Sequence, residues 1–141
     1  MRLKFLMTWF CIISAILIVI GAVFSFFGLP VISEVSSKLV GFGILPSDRG
    51  ILLSWESAIY GAIMIGWGVT LLLLGRLAYT RKDPELLKIM LAGLAIWLVI
   101  EAIYSLYLGV LFNIGVDLAV LALFSVPLVL GIRAVKSERA P

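Results

Sequence analysis

The chain has 141 residues, enough for one domain, and 63% of them are hydrophobic while only 13% are charged. Soluble domains are about half apolar and about a quarter charged, so this composition argues against a water-soluble globule and favours an integral membrane protein. The net charge of +3 does not require a nucleic acid partner, and the lack of histidine excludes histidine-based triads and histidine–metal sites.

Four apolar stretches are long enough, or nearly so, to cross a bilayer as helices, which takes about 20 residues. They cover residues 5–29, 51–75, 86–112 and 115–132. The first follows Arg2 and Lys4, as in a signal peptide, but its apolar run is about twice the usual length and no clear A-x-A site closes it. We therefore predict a retained helix and an all-α membrane bundle of four helices, forming a single domain over residues 1–141.

The connection between the first two spans, residues 30–50, is long for so small a bundle. Within it Val31, Val35 and Leu39 recur at four-residue spacing, which predicts a short amphipathic helix at the outer interface. An ordered loop that caps the bundle is the alternative. Residues 46–50, with the sequence PSDRG, predict a turn that precedes the second span.

Local signals also predict the ends of the later helices. Asp83, Pro84 and Glu85 are typical of a helix start, with the aspartate as N-cap and the proline at the first helical position. Residues 113–115 predict a tight turn, so the third and fourth spans are expected to be antiparallel neighbours. Pro127 interrupts the fourth span and predicts a kink.

Basic residues predict the orientation of the bundle. With four spans, only Lys38 and Arg49 lie on one side, and the other side carries nine: Arg2, Lys4, Arg76, Arg81, Lys82, Lys88, Arg133, Lys136 and Arg139. Because basic residues are enriched on the cytoplasmic side, we predict cytoplasmic N and C termini in the cell (inner) membrane. Trp9, Trp55 and Tyr79 lie near span ends and are interpreted as interface anchors.

Small residues predict where helices pack, since helices in lipid approach each other through small side chains and polar groups. The second span carries such a row at every fourth position: Ser54, Ala58, Ala62, Gly66 and Thr70. Glu56 and Tyr60 lie on the opposite side of that span. Both sides are therefore suited to protein contact, which predicts a central helix or one that touches another subunit. The first span has a similar row in Ser14, Gly21, Ser25 and Gly28.

Three acidic residues fall at membrane depth. Glu56 lies about 7–8 Å and Glu101 about 12–15 Å from the external ends of their spans, at 1.5 Å per residue, and Asp117 begins the fourth span. An ionised carboxylate there costs several kcal/mol, about 2.5–3.5 on insertion scales. The acids are therefore expected to be protonated and hydrogen-bonded, to line a water-filled pocket, or to pair with Arg49 or Lys38 from the loop.

The neighbours of these acids suggest a binding pocket. Tyr60 lies one turn from Glu56, and Asn113 one turn from Asp117; Trp97, Tyr104 and Ser105 share the Glu101 face. We predict a pocket that opens outward and binds a cation, a proton or a small amphipathic ligand, formed by Glu56, Tyr60, Trp97, Glu101, Tyr104 and Asp117. The alternatives are a purely structural hydrogen-bond cluster and, for Asp117, a simple helix cap.

The sequence predicts no cofactor, metal or nucleotide site, because it has no nucleophile–base pair, ligand cluster or glycine-rich phosphate loop. The size and four-span plan are similar to those of many small prokaryotic membrane families, such as the DoxX-like proteins, and this likeness implies the architecture alone. We expect a non-enzymatic bundle that acts as a homo-oligomer or as an accessory subunit of a membrane complex. The alternatives are binding or transport through the acidic pocket and an isomerase activity on a lipophilic substrate, with Glu56 and Glu101 as acid and base.

Overall fold

The structure, a computed structural model, describes residues 2–27 and 47–139, and these form four helices. We label them α1 (Arg2–Phe27), α2 (Ser47–Thr80), α3 (Pro84–Tyr107) and α4 (Leu111–Arg139). Each helix is long and apolar enough to cross a membrane. The predicted all-α architecture with four spans is therefore confirmed, and the chain has the helices of a multi-pass membrane protein.

The surfaces of these helices suit a lipid environment. Large apolar side chains are exposed along α1, α3 and α4, among them Phe5, Ile96 and Leu118. A soluble monomer rarely exposes so much contiguous apolar surface, whereas a membrane-spanning helix presents it to the acyl chains.

The end of α2 is closed by a pair of backbone hydrogen bonds. The N–H of Asp83 donates to the carbonyl of Ala78 at 2.9 Å, and the N–H of Lys82 donates to the carbonyl of Tyr79 at 3.3 Å. This pattern requires a left-handed residue after the helix, and Lys82 takes that conformation with φ 52°. Its ammonium lies 2.5 Å from the carboxylate of Glu138, near the end of α4.

Helix α3 starts at Pro84, directly after this turn. The carboxylate of Asp83 accepts hydrogen bonds from the N–H groups of Glu85 at 3.0 Å and Leu86 at 3.1 Å. Pro84 occupies the first turn, where its missing N–H costs nothing. The predicted helix start at residues 83–85 is confirmed.

The turn between α3 and α4 is centred on Gly109, which has φ 72°. The N–H of Val110 donates to the carbonyl of Ser105 at 2.8 Å, and that of Gly109 to Leu106 at 3.2 Å, so α3 ends as α2 does. The prediction of a turn at residues 113–115 was wrong, because these residues lie within α4. The predicted antiparallel contact between the two helices is confirmed, since α3 and α4 pack against each other.

The start of α2 also differs from the prediction. Residues 47–50, predicted as part of a turn, already belong to the helix. Serine and aspartate occupy its first two positions, and both residue types favour the first turn of a helix over its interior. The predicted amphipathic helix around Val31, Val35 and Leu39 lies outside the described residues.

Internal contacts divide the chain into two units, which we describe separately. The first unit comprises Met1–Ile13 with Leu71–Pro141, and the second comprises Ser14–Thr70. In the first unit the ring of Phe10 lies edge-on to Phe124, with centroids 5.4 Å apart, and 6.3 Å from the ring of Tyr79. These three aromatic side chains are buried and form the core of that unit.

Tyr79 is held in this core by its hydroxyl group, which donates to the carbonyl of Pro127 in α4 at 2.6 Å. Its ring lies against Gly131, where an added Cβ would come within 2.7 Å of it. The side chain is only 4% exposed, so the interpretation of Tyr79 as an interface anchor was wrong. The assigned helix α4 continues through Pro127, and the kink stays a prediction.

In the second unit two glycines bring α1 and α2 into close contact. A Cβ on Gly61 would collide with the backbone of Ser25 and Gly21. A Cβ on Gly68, seven residues later, would lie 2.6 Å from the side chain of Ile18 and 3.1 Å from its backbone nitrogen. Only glycine permits these approaches, so the face of α2 that carries Gly61 and Gly68 is the one that packs closely on α1.

Two hydroxyl groups support the same contact. Ser25 donates to the carbonyl of Ala58 at 3.4 Å, and Ser57 donates to the carbonyl of Phe24 at 3.0 Å. Hydrogen bonds of this kind across helices are worth about 0.6 kcal/mol on average in lipid. They add to the close backbone packing at the glycines.

The row of small residues predicted on α2 is not the set of glycines that packs on α1. Ala58 is half-buried, whereas Ala62 and Gly66 are exposed, and an added Cβ on Gly66 would meet no atom within 4 Å. The side chain of Ser54 lies outside the described residues. Contact of this row with another helix therefore stays a prediction.

Candidate functional site

A polar cluster lies between α3 and α4, formed by Glu101, Ser105, Asn113 and Asp117. The two pairs are each four residues apart on their helices, so each pair faces one side. The side-chain amide of Asn113 is within donating distance of Ser105 Oγ at 2.9 Å, Asp117 Oδ2 at 3.3 Å and Glu101 Oε1 at 3.4 Å. We call these four residues the Asn113 cluster.

The helices place both acids at the same depth. Glu101 lies six residues before the last residue of α3, and Asp117 six residues after the first residue of α4. At 1.5 Å per residue each lies about 9 Å from the end that faces the turn. Asp117 is buried well inside α4, so the alternative that it caps this helix was wrong.

The hydrogen bonds of the Asn113 cluster are incomplete. The amide of Asn113 has two hydrogens, yet three acceptors lie around its nitrogen, and two of these contacts are longer than 3.2 Å. Glu101 Oε2 is buried and has no hydrogen-bond partner among the described residues. A buried acceptor without a donor costs about 1–3 kcal/mol, so the cluster retains unused capacity to accept a hydrogen bond or a positive charge.

The chemistry available here is that of two carboxyl groups, one amide and one hydroxyl. Such a set can hold a proton or accept hydrogen bonds from an ammonium group, and its oxygens are ligands for hard cations. Among the described residues no group of three or more histidine, cysteine, aspartate or glutamate side chains is placed to hold a metal ion.

Of the residues of the predicted pocket, the structure brings Glu101 and Asp117 together in the Asn113 cluster. On α3, Trp97 is 36% and Tyr104 64% exposed, and no described hydrogen bond joins Tyr104 to the cluster. Tyr60 belongs to the second unit, where it is also exposed. The side chain of Glu56 lies outside the described part of the chain.

Sequence reasoning underestimated two members of the site. It recognised Asn113 and Ser105 as neighbours of the acids but did not include them among the binding residues, because Asn113 was assigned to a turn. The four-residue spacing between Asn113 and Asp117 was the available signal, since it places both on one face once the segment is helical.

Comparisons with protein-family models, with curated proteins and with solved structures find no match to this chain. The likeness to DoxX-like families therefore remains one of size and span number.

Proposed function

We propose that this protein is a non-enzymatic membrane bundle that acts by associating with other membrane helices, as a homo-oligomer or as an accessory subunit. The observation that supports this proposal is the second face of α2. One face already packs on α1 through Gly61 and Gly68, while Ala62 and Gly66 leave an open, small-residue surface on another face. Thr70, one turn further on, bonds to the carbonyl of Gly66 at 2.8 Å.

A small-residue surface is better suited to a helix than to lipid. Lipid-facing positions gain contact area from large side chains, whereas Ala62 and Gly66 allow the backbone of a second helix to approach closely. The hydroxyl of Thr70 is satisfied within its own helix, so it adds no unpaired donor to the surface. The proposed contact therefore depends on packing at Gly66 and its neighbours.

The test is a bulky substitution at this surface. Gly66→Leu should abolish self-association or recovery of partner subunits, measured as particle mass in a mild detergent and as co-purifying proteins. Gly93→Leu is the matched control, because Gly93 is also an exposed helical glycine with no atom near its missing Cβ. A wild-type protein that is monomeric and carries no partner contradicts the proposal. Co-purification of other chains favours the accessory subunit over the homo-oligomer.

We also propose that the N terminus, the α2–α3 connection and the C terminus are cytoplasmic, that residues 30–46 are external, and that the host is the inner membrane. Support comes from the nine basic residues on the proposed inner side. In a Cys11→Ser background, Ser137→Cys should be protected from a membrane-impermeant thiol reagent in intact cells, and Tyr107→Cys should react. The reverse labelling pattern contradicts this orientation.

The second candidate function is binding or transport of a cation, a proton or a small amphipathic ligand at the Asn113 cluster. Its support is the buried Glu101 Oε2, which has no partner among the described residues. Glu101→Gln keeps the shape of the side chain and removes its charge. If ion flux or ligand binding in proteoliposomes is lost while folding and assembly persist, this function gains. Failure of helix assembly assigns a structural role to the cluster.

A further inference from the structure

In the first unit, four helix ends carry basic residues, and these four ends lie close together. Thr80 Oγ1, at the end of α2, lies 4.0 Å from Met7 Sδ near the start of α1. The α2–α3 connection and the end of α4 are joined by the contact between Lys82 and Glu138. The starts of α1 and α3 and the ends of α2 and α4 therefore lie together.

The acidic residues at this place are already engaged. Glu138 pairs with Lys82, and Glu85 pairs with Lys88 at 2.6 Å. Asp83 accepts two backbone hydrogen bonds at the start of α3. Among the described residues, none of the three carboxylates forms an ion pair with a further basic side chain.

Besides Lys82 and Lys88, five basic residues with described side chains lie here, all exposed, and none has an ion pair within the described part of the chain. They are Lys4, Arg76, Arg81, Arg133 and Lys136, and we call them the basic end. Four of them lie on apolar helices close to a terminus, and Arg81 directly follows the last residue of α2. Their long side chains can therefore extend from the hydrocarbon edge to the headgroup layer. The other end of α3 and α4 has no basic residue between Glu101 and Asp117.

We propose that the basic end binds the phosphate headgroups of anionic phospholipids. No ion pair among the described residues neutralises this positive charge, and it lies where a membrane-spanning helix meets the headgroups. Arginine pairs with a phosphate through two parallel hydrogen bonds. A zwitterionic lipid offers the same phosphate, but its own ammonium group offsets the attraction. The protein should therefore prefer anionic over zwitterionic lipids of identical chain length.

The experiment uses the full chain in mild detergent with equal amounts of phosphatidylglycerol and phosphatidylcholine that carry the same acyl chains. Retained lipids are counted by native mass spectrometry. Wild type should retain phosphatidylglycerol preferentially, and the preference should fall as salt concentration rises. The double variant Arg81→Gln with Arg133→Gln should lower it roughly tenfold to thirtyfold, since each basic residue near the surface contributes roughly a factor of five.

Two controls separate this binding from a general effect of substitution. Arg81→Lys with Arg133→Lys keeps both charges and should retain most of the preference. Glu85→Gln with Lys88→Gln changes two residues at the same end without altering net charge, and should leave it unchanged. Equal retention of both lipids by wild type overturns the proposal, as does a folded double glutamine variant with undiminished preference. If that variant does not fold, the salt dependence of wild type decides.

Discussion

Gly21→Ala tests the close contact between α1 and α2 in the second unit. A Cβ on Gly21 would lie 2.8 Å from the carbonyl oxygen of Gly61, 2.8 Å from Met64 Cβ and 2.9 Å from the nitrogen of Ile65. Ordinary contact starts at 3.4 Å, so the helices have to separate locally by about 0.6 Å. Since two of the three atoms belong to the backbone, no side-chain rotation relieves the collision. Overpacking of this kind costs about 1–3 kcal/mol.

The matched control is Gly93→Ala, in which the added methyl group meets no atom within 4 Å. Both substitutions gain about the same helix propensity, roughly 1 kcal/mol, so the difference between the two variants isolates the collision. The free energy of unfolding is measured by titration with sodium dodecyl sulfate in mixed micelles, followed by tryptophan fluorescence. Gly21→Ala should be less stable than Gly93→Ala by about 1–3 kcal/mol. Equal stability would refute the close approach of the two backbones.

Three further substitutions follow from single contacts and use the same titration. Tyr79→Phe removes the buried hydrogen bond to Pro127 and should cost about 0.5–1.5 kcal/mol. Gly109→Ala places a Cβ in a left-handed conformation and should cost about 1–2 kcal/mol. Asp83→Ala removes the N-cap of α3 and should cost about 1 kcal/mol.

Each of these changes has a conservative control. Tyr104→Phe removes the hydroxyl of an exposed tyrosine and should leave stability unchanged. Gly109→Asn should cost less than Gly109→Ala, because asparagine tolerates the left-handed conformation. Asp83→Asn should retain most of the capping contribution. A control that loses as much as its paired variant shows that the named contact is not responsible.

The spans and the start of α3 could be predicted because they depend on local chemistry. Hydrocarbon requires long apolar segments whose backbone groups are satisfied within the helix, and composition alone reveals such segments. The start of α3 depends on the carboxylate of Asp83 and the fixed backbone of Pro84, which act on residues within four positions. No tertiary contact is needed to recognise either feature.

The packing face of α2 could not be predicted in the same way. Its sequence contains two sets of small residues, one with Ala62 and Gly66 and the other with Gly61 and Gly68. Both satisfy the requirement for close helix approach, and the choice between them depends on the shape of α1, including Gly21. Spacing within one helix therefore predicts that a close contact exists, but not which row makes it.

The position of the α3–α4 turn had the largest consequence for the site. Both Gly109 and the segment 113–115, which includes Gly115, favour turns. The left-handed residue that ends α3 is Gly109. A turn at 113–115 would have left Asn113 in the connection. With the turn at Gly109, Asn113 lies on α4 one turn before Asp117 and faces Glu101.

The geometry of the Asn113 cluster therefore depends on the residue at which α3 ends. Ending α3 at Tyr107 places Glu101 and Asp117 at equal distance from the turn, so that one amide reaches both carboxyl groups. A shift of the turn by one residue would rotate the faces of α3 and α4 by about 100° relative to each other and separate these groups. Gly109 thus determines the geometry of the acidic pair although it lies outside the cluster. A substitution that displaces this turn should disturb the environment of Glu101 as well as the stability of the helix end.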